Sequence, residues 1–120
     1  MRPWSAEEFT TLLASPHTYL TDTQHAFALT RIVADEAELL TLATNPAHRR
    51  QGHARALLQT LEAHASTQGA VTIFLEVSAQ NDPAIALYLS ASYEESARRT
   101  DYYTSPTGHR IDALILTKKL

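Results

Sequence analysis

The chain has no cysteine. That single absence removes disulfides, thiolate catalysis and zinc–thiolate sites, and it fits a reducing, cytoplasmic compartment. No run of residues approaches the roughly 18 apolar positions that a membrane span requires, and the N-terminus has no apolar signal core. Positive charge is not in excess. The 120 residues carry a formal charge of −3, which argues against a general nucleic-acid or anionic-membrane binder. Arg98, Arg99 and Arg110 read as a solvated sheet edge rather than a binding patch. No Gly-x-Ser-x-Gly elbow is present, so hydrolase chemistry has no support. No Gly-Lys-Ser/Thr of a nucleotide P-loop is present either. Repeats, low-complexity segments and linkers are also missing, so residues 1–120 are expected to form one domain. The six histidines show no known metal-ligand spacing. His48 and His53, for example, are five apart, and no metal site is expected.

What is present is a 44% apolar composition arranged in clear periods. Met1 to Ala14 reads as a short helix. Ser5 and Glu8 make a capping box, Trp4 and Phe9 stand at the spacing of a hydrophobic staple, and Ser15-Pro16 ends the element. Thr18–Thr21, Ala26–Val33 and Ala37–Thr44 read as strands joined by turns at Asp22-Thr23-Gln24 and Ala34-Asp35-Glu36, an antiparallel meander. A helix is expected from about Gly52 to Gln68, with Leu57, Leu58, Leu61 and Ala65 as its buried stripe and Gly69 as its C-terminal cap. Val71–Ser78 is a strand of central type. A further helix opens at Asn81-Asp82-Pro83, with Asp82 expected as cap, and runs to about Ala91. Tyr93–Tyr103 and Ile111–Lys118 form a final strand pair around Ser105-Pro106-Thr107-Gly108. The helical crossover between Ala37–Thr44 and Val71–Ser78 implies one parallel pair at the centre. The fold class is therefore α/β (α+β): a mixed, mostly antiparallel sheet with helices on its faces.

The stretch Asn45-Pro-Ala-His-Arg-Arg-Gln-Gly-His-Ala54 joins a strand to a helix through a glycine-bearing turn. Such a turn directs several backbone N–H groups and the helix dipole into one small space, a ready anion site. Gly52 permits close approach to the backbone, and Arg49 and Arg50 add fixed positive charge. His53 lies inside this loop. Glu76 interrupts an otherwise apolar strand, with Val71, Ile73, Leu75 and Val77 on one face and Phe74, Glu76 and Ser78 on the other. Desolvation there would raise its pKa toward that of a general base. The plain alternative is a carboxylate reaching water at a strand end. Tyr88 can donate a proton or simply fill the core, and spacing favours the core. Asn81 can touch a ligand or close its own turn.

Together these residues resemble the GNAT N-acetyltransferases. The family's loop, Arg/Gln-x-x-Gly-x-Gly/Ala, stands here as Arg49-Arg50-Gln51-Gly52-His53-Ala54. Asn45-Pro46, Leu75-Glu76-Val77, Asn81, Ala84-Ile85-Ala86-Leu87-Tyr88, Arg98-Arg99 and Tyr102-Tyr103 are similar to the RimI subgroup, the ribosomal-protein-alanine N-acetyltransferases. The resemblance implies that acetyl-CoA lies where two central parallel strands splay apart. Backbone groups of Leu42, Ala43 and Thr44 would then hold the pantetheine arm. Arg50, Gln51, Gly52, His53, Ala54 and Arg55 would cradle the pyrophosphate, and Asn81 would also touch the cofactor. Glu76 matches the general base and Tyr88 the general acid. The acceptor implied is a protein N-terminal amine, most simply the N-terminal alanine of a ribosomal protein. A small-molecule amine acetyltransferase and a catalytically weak acetyl-CoA-binding module are the alternatives. Ala54 occupies the second loop glycine position, which the pattern allows. His53 stands at a commonly apolar position, and Ser90-Ala91-Ser92-Tyr93 stands where a Leu-Gly-Phe turn is usual. The family's first strand and helix precede the stretch that matches Trp4 and have no counterpart here. A sheet edge is therefore expected to lie open, which a homodimer would cover.

Overall fold

The computed structural model describes residues 5–49 and 51–120. Helix α1 (Ala6–Leu13) begins with the expected capping box. Ser5 Oγ accepts from the Glu8 N–H at 3.1 Å, and Glu8 Oε1 accepts from the Ser5 N–H at 3.3 Å. The staple between Trp4 and Phe9 falls outside the described residues and side chains. Strands β1 (Thr18–Asp22), β2 (Ala26–Val33) and β3 (Glu36–Thr44) form the antiparallel meander. A short 3-10 turn, Pro46–His48, follows. It is capped by Asn45, whose Oδ1 accepts from the Ala47 N–H at 3.0 Å.

Helix α2 (His53–Thr67) buries Leu57, Leu58, Leu61 and Ala65, the stripe read from its period. It ends in a Schellman motif at Gly69. The N–H groups of Gly69 and Ala70 donate to the carbonyls of Ser66 and Ala65, each at 3.0 Å, and Gly69 takes φ +95°. Strand β4 (Thr72–Ser78), helix α3 (Asp82–Ser90), and strands β5 (Glu94–Thr104) and β6 (Arg110–Lys119) complete the chain. The α3 cap differs from expectation. Asn81 caps it, its Oδ1 accepting from the Ala84 N–H at 3.3 Å, while Asp82 is already helical. The amide three residues on is within reach of Asn81, and Pro83 needs no partner in the first turn.

The sheet order is β1-β2-β3-β4-β6-β5, antiparallel except for β3–β4. That parallel pair is short. Glu36↔Thr72, Ala37↔Ile73 and Glu38↔Phe74 align, and beyond them β3 and β4 diverge although both continue. A bulge accompanies the divergence. Leu29 pairs with Thr41 and Thr30 with Leu39, so Leu40 is an extra residue that bends β3 where it leaves β4.

Ile73, Leu75 and Val77 are fully buried on the α2 side, packed with Leu39, Leu57, Leu58, Leu61 and Tyr88. Phe74, Glu76 and Ser78 alternate onto the other face and are half-buried. Val71 precedes the strand and is exposed. Among the described residues, no helix is long and apolar enough to cross a membrane.

Candidate active site

Beside the diverging strands lies a cleft of about 800 Å³. Leu42, Ala43 and Thr44 of β3 form one wall, Gly52, His53, Ala54 and Arg55 another, and Asn81, Ala84, Leu87 and Ser90 the α3 side. Gly52 has φ +83°, and a Cβ placed on it would meet nothing of the chain within 4 Å. The space above this turn is therefore open to a ligand. The first intrahelical bond of α2 runs from the Ala56 N–H to the Gly52 carbonyl at 3.0 Å. The N–H groups of His53, Ala54 and Arg55 come before it and emerge from the positive end of the helix. With Arg49 also on the wall, this end of the cleft has the positive character that favours an anion.

The remaining residues expected at the cofactor are placed differently. The Arg55 guanidinium donates to Ser90 Oγ at 2.8 Å and to the Ser90 carbonyl at 2.9 Å, clasping the negative end of α3. With its guanidinium engaged there, the backbone N–H of Arg55 is the group that stands free in the first turn of α2. Gln51 is not on the wall; its Oε1 lies 3.1 Å from His53 Nε2. Asn81 reaches the rim with its side-chain oxygen already engaged on α3. Arg50 lies outside the described residues.

Glu76 sits two residues past the last β3–β4 pair, level with the splay. Its side chain is half-buried, 27% accessible, so the carboxylate reaches water rather than being sealed in the core. The Tyr103 hydroxyl donates to its Oε2 at 3.3 Å, and Arg99 stands 3.6 Å from Oε1. Tyr88 belongs to the opposite, α2-side face of the sheet. It is buried, its ring edge-on to Tyr93 with centroids 5.6 Å apart, and burial pushes its phenol well above the usual value. Tyr93 is anchored separately. Its hydroxyl donates to Glu62 Oε2 and Lys118 donates to Glu62 Oε1, each at 2.8 Å. Glu76 and Tyr88 thus lie on opposite faces of the sheet, and neither is on the cleft wall.

Tyr103 reaches Glu76 because β5 is bulged. Arg99 pairs with Ala113 and Tyr103 with Ile111, so Thr100, Asp101 and Tyr102 stand against Asp112 alone. The Asp112 carboxylate pins this bulge. Oδ1 accepts from the Asp101 N–H at 3.0 Å, Oδ2 accepts from Arg98 at 3.1 Å, and Asp101 takes φ +53°. The Asp101 N–H first, and Arg98 with it, hold the Asp112 carboxyl below the usual carboxylate range. Sequence reasoning singled out neither Asp112 nor the tyrosine–glutamate contact, since local spacing gives no sign of the bulge.

The model of the Acetyltransferase (GNAT) family matches residues 4–93. The chain belongs to the GNAT acetyltransferase family. Membership makes it an acetyltransferase. It is 40% identical over 118 residues to the [ribosomal protein bS18]-alanine N-acetyltransferase of Escherichia coli K12, covering 95% of this chain and 79% of that protein. The crystal structure of the ribosomal-protein-S18-alanine N-acetyltransferase from Escherichia coli superposes with a TM-score of 0.87 at 37% identity, over 98% of this chain and 78% of that one. Arabidopsis thaliana NAA60, solved in complex with acetyl-CoA, shares the fold with a TM-score of 0.83 at 19% identity, over 98% of this chain and 85% of that one. The splayed mixed sheet expected from the resemblance is therefore the GNAT architecture.

No spacing in the sequence points to a histidine cluster, yet in this GNAT chain His25, His48 and His53 come together, and His48 and His53 lie on the cleft wall. The antiparallel ladder is responsible. Ala26 pairs with Thr44, and the Asn45 N–H donates to the His25 carbonyl at 2.7 Å, which sets the β1–β2 turn against the loop that follows β3. The His25 and His48 rings stack with centroids 3.6 Å apart, and His53 meets His25 edge-on at 4.9 Å. Desolvation first, then the neighbouring His48 and His53, lower the His25 pKa.

Proposed function

We propose that this chain transfers an acetyl group from acetyl-CoA to the N-terminal amine of a protein, the N-terminal alanine of a ribosomal protein in the first instance. The observation that carries the reading is the splay of β3 from β4, with the open Gly52 turn on the cleft beside it and Glu76 two residues past the last strand pair. The likeness to an alanine N-acetyltransferase at 40% identity supports the acceptor.

In this reading the N–H groups of His53, Ala54 and Arg55 bind the diphosphate, and Arg49 adds charge. Backbone groups of Leu42, Ala43 and Thr44, which β4 does not pair, hold the pantetheine arm. Bound acetyl-CoA supplies an activated carbonyl and a thiolate leaving group. Glu76, directly or through water, takes a proton from the acceptor nitrogen as that nitrogen attacks. Tyr103 and Arg99 hold the carboxylate at the strand divergence. Backbone N–H groups at the splay stabilise charge as it develops on the carbonyl oxygen. Tyr88, whose burial keeps its proton in place, protonates the departing sulfur. The amine chemistry agrees. An α-amino group titrates near about 8 and a lysine near about 10.4, so the neutral α-amine is about 200-fold more abundant at neutral pH. An acceptor that loses its proton this readily asks little of the base, which suits an N-terminus.

Turnover of acetyl-CoA with an alanine-starting ribosomal peptide, read by mass spectrometry, tests this. Modification confined to the α-amine is expected. Turnover of a small amine with no reaction on the peptide would favour the small-molecule alternative. Cofactor binding with no turnover on any amine would leave only a binding module.

A further inference from the structure

We infer that His25, His48 and His53, the last two on the cleft wall, form a binding site for one divalent transition cation of the zinc class. Each of the three offers a ligand nitrogen, and these atoms all lie within 4.8 Å of one another. A tetrahedral ion with Zn–N bonds of about 2.0–2.1 Å needs nitrogens roughly 3.4 Å apart. All three residues are half-buried rather than locked in the core, which leaves their side chains room to turn toward one another. The stacked His25 and His48 rings must turn out of parallel so that their lone pairs converge.

The donor set selects the ion. Three neutral imidazoles with no carboxylate suit Zn²⁺, Co²⁺, Ni²⁺ or Cu²⁺ and are poor ligands for Mg²⁺ or Ca²⁺. His53 already has the outer partner that such ligands use. With Nε2 on Gln51 Oε1 at 3.1 Å, it keeps Nδ1 for the ion while Gln51 sets the ring. The backbone is prepared as well: the Asn45–His25 bond at 2.7 Å and the capped 3-10 turn fix two of the three residues relative to each other. Three protein ligands leave a position for water. The bound ion would tie the β1–β2 turn to the 3-10 turn and the start of α2, and binding to the folded chain raises its melting temperature by mass action. Arg49, on the same wall, opposes a cation, so the site is weaker than a four-ligand structural zinc centre.

The test uses the full chain freed of any affinity tag. Co²⁺ is titrated with visible absorption as the readout, and Zn²⁺ by calorimetry. One equivalent of Co²⁺ with the strong d–d bands of a low-coordinate site is expected, displaced by Zn²⁺ and not by Mg²⁺. His25→Asn should weaken Zn²⁺ by at least about tenfold, and His109→Asn, away from the cluster, should leave it unchanged. His48→Asn carries the same expectation if His25→Asn loses its native circular dichroism. The inference is overturned if Co²⁺ shows only the spectrum of the hydrated ion, or if the histidine variants of the cluster bind Zn²⁺ as tightly as the unaltered chain. None of these readouts depends on acetyl transfer, so the outcome stands apart from that of the proposed function.

Discussion

Replacing Glu76 by Gln separates chemistry from folding. The change removes a basic oxygen and keeps the side chain's size. Gln can still accept the Tyr103 hydrogen bond, now 3.3 Å long. What is lost structurally is the Arg99 contact at 3.6 Å, between side chains 57% and 27% exposed, and pairs of that kind contribute about 0–1 kcal/mol. Loss of a general base costs about 10²–10⁴-fold in rate, or about 3–5 kcal/mol on the barrier. The kinetic effect therefore exceeds the stability effect by several-fold, and unfolding cannot imitate it. The assay is turnover on an alanine-starting peptide as a function of pH, with acetyl-CoA affinity and thermal melting measured on the same protein. Turnover should fall about 10²–10⁴-fold, while affinity and melting change little. The limb of the pH–rate profile that reports loss of a proton from the carboxylate should vanish, leaving that of the amine. A variant with the same profile as the unaltered enzyme would remove Glu76 from the base role.

Gly52→Val places a branched side chain at φ +83°, where L residues are strained by about 1–2 kcal/mol, and directs it into the open space above the turn. Acetyl-CoA affinity by calorimetry should be abolished in protein that still shows native circular dichroism. Retained affinity would mean that the diphosphate sits elsewhere. Tyr88→Phe removes a buried hydroxyl without changing the ring, so cofactor affinity should hold while turnover falls about 10²-fold. A fall in affinity instead would make Tyr88 a packing residue alone. Asp112→Ala releases the Asp101 N–H and Arg98, frees the β5 bulge and lets Tyr103 drift from Glu76. Turnover should drop by up to about 10²-fold with unchanged acetyl-CoA affinity. The native Asp112 carboxyl is depressed, so its hold on the bulge is present above the ordinary carboxylate pKa. It should fade only as pH falls through the lowered value, an acid loss of activity that the Ala variant would lack.

Much of this fold could be read from local chemistry. The Ser5–Glu8 box, the α2 stripe ending at Gly69, and the alternation of β4 each depend on residues a few positions apart. The short parallel pair and its splay were expected from the helical crossover and from the family resemblance. The features that stayed hidden are those set by strand pairing. His25 is 23 residues before His48, and only the β2–β3 register brings them together. The bulge that turns Tyr103 toward Glu76 depends on a carboxylate from the neighbouring strand, Asp112, which no spacing within β5 reveals. Asn81 and Asp82 are both good caps by type, and the choice between them rests on which side chain reaches the Ala84 N–H. The burial of Glu76 stayed open because an apolar strand does not show that its second face opens beside a divergence.

The central claim is that the β3–β4 splay threads a thioester between Glu76 and Tyr88 while the Gly52 turn grips the diphosphate. A crystal structure with acetyl-CoA bound tests it most directly. The expected result is a diphosphate on the N–H groups of His53, Ala54 and Arg55, the pantetheine arm along Leu42–Thr44, and the acetyl carbon between the Glu76 carboxylate and the Tyr88 hydroxyl. A diphosphate bound away from the Gly52 turn, or an acetyl group outside the strand divergence, would contradict it.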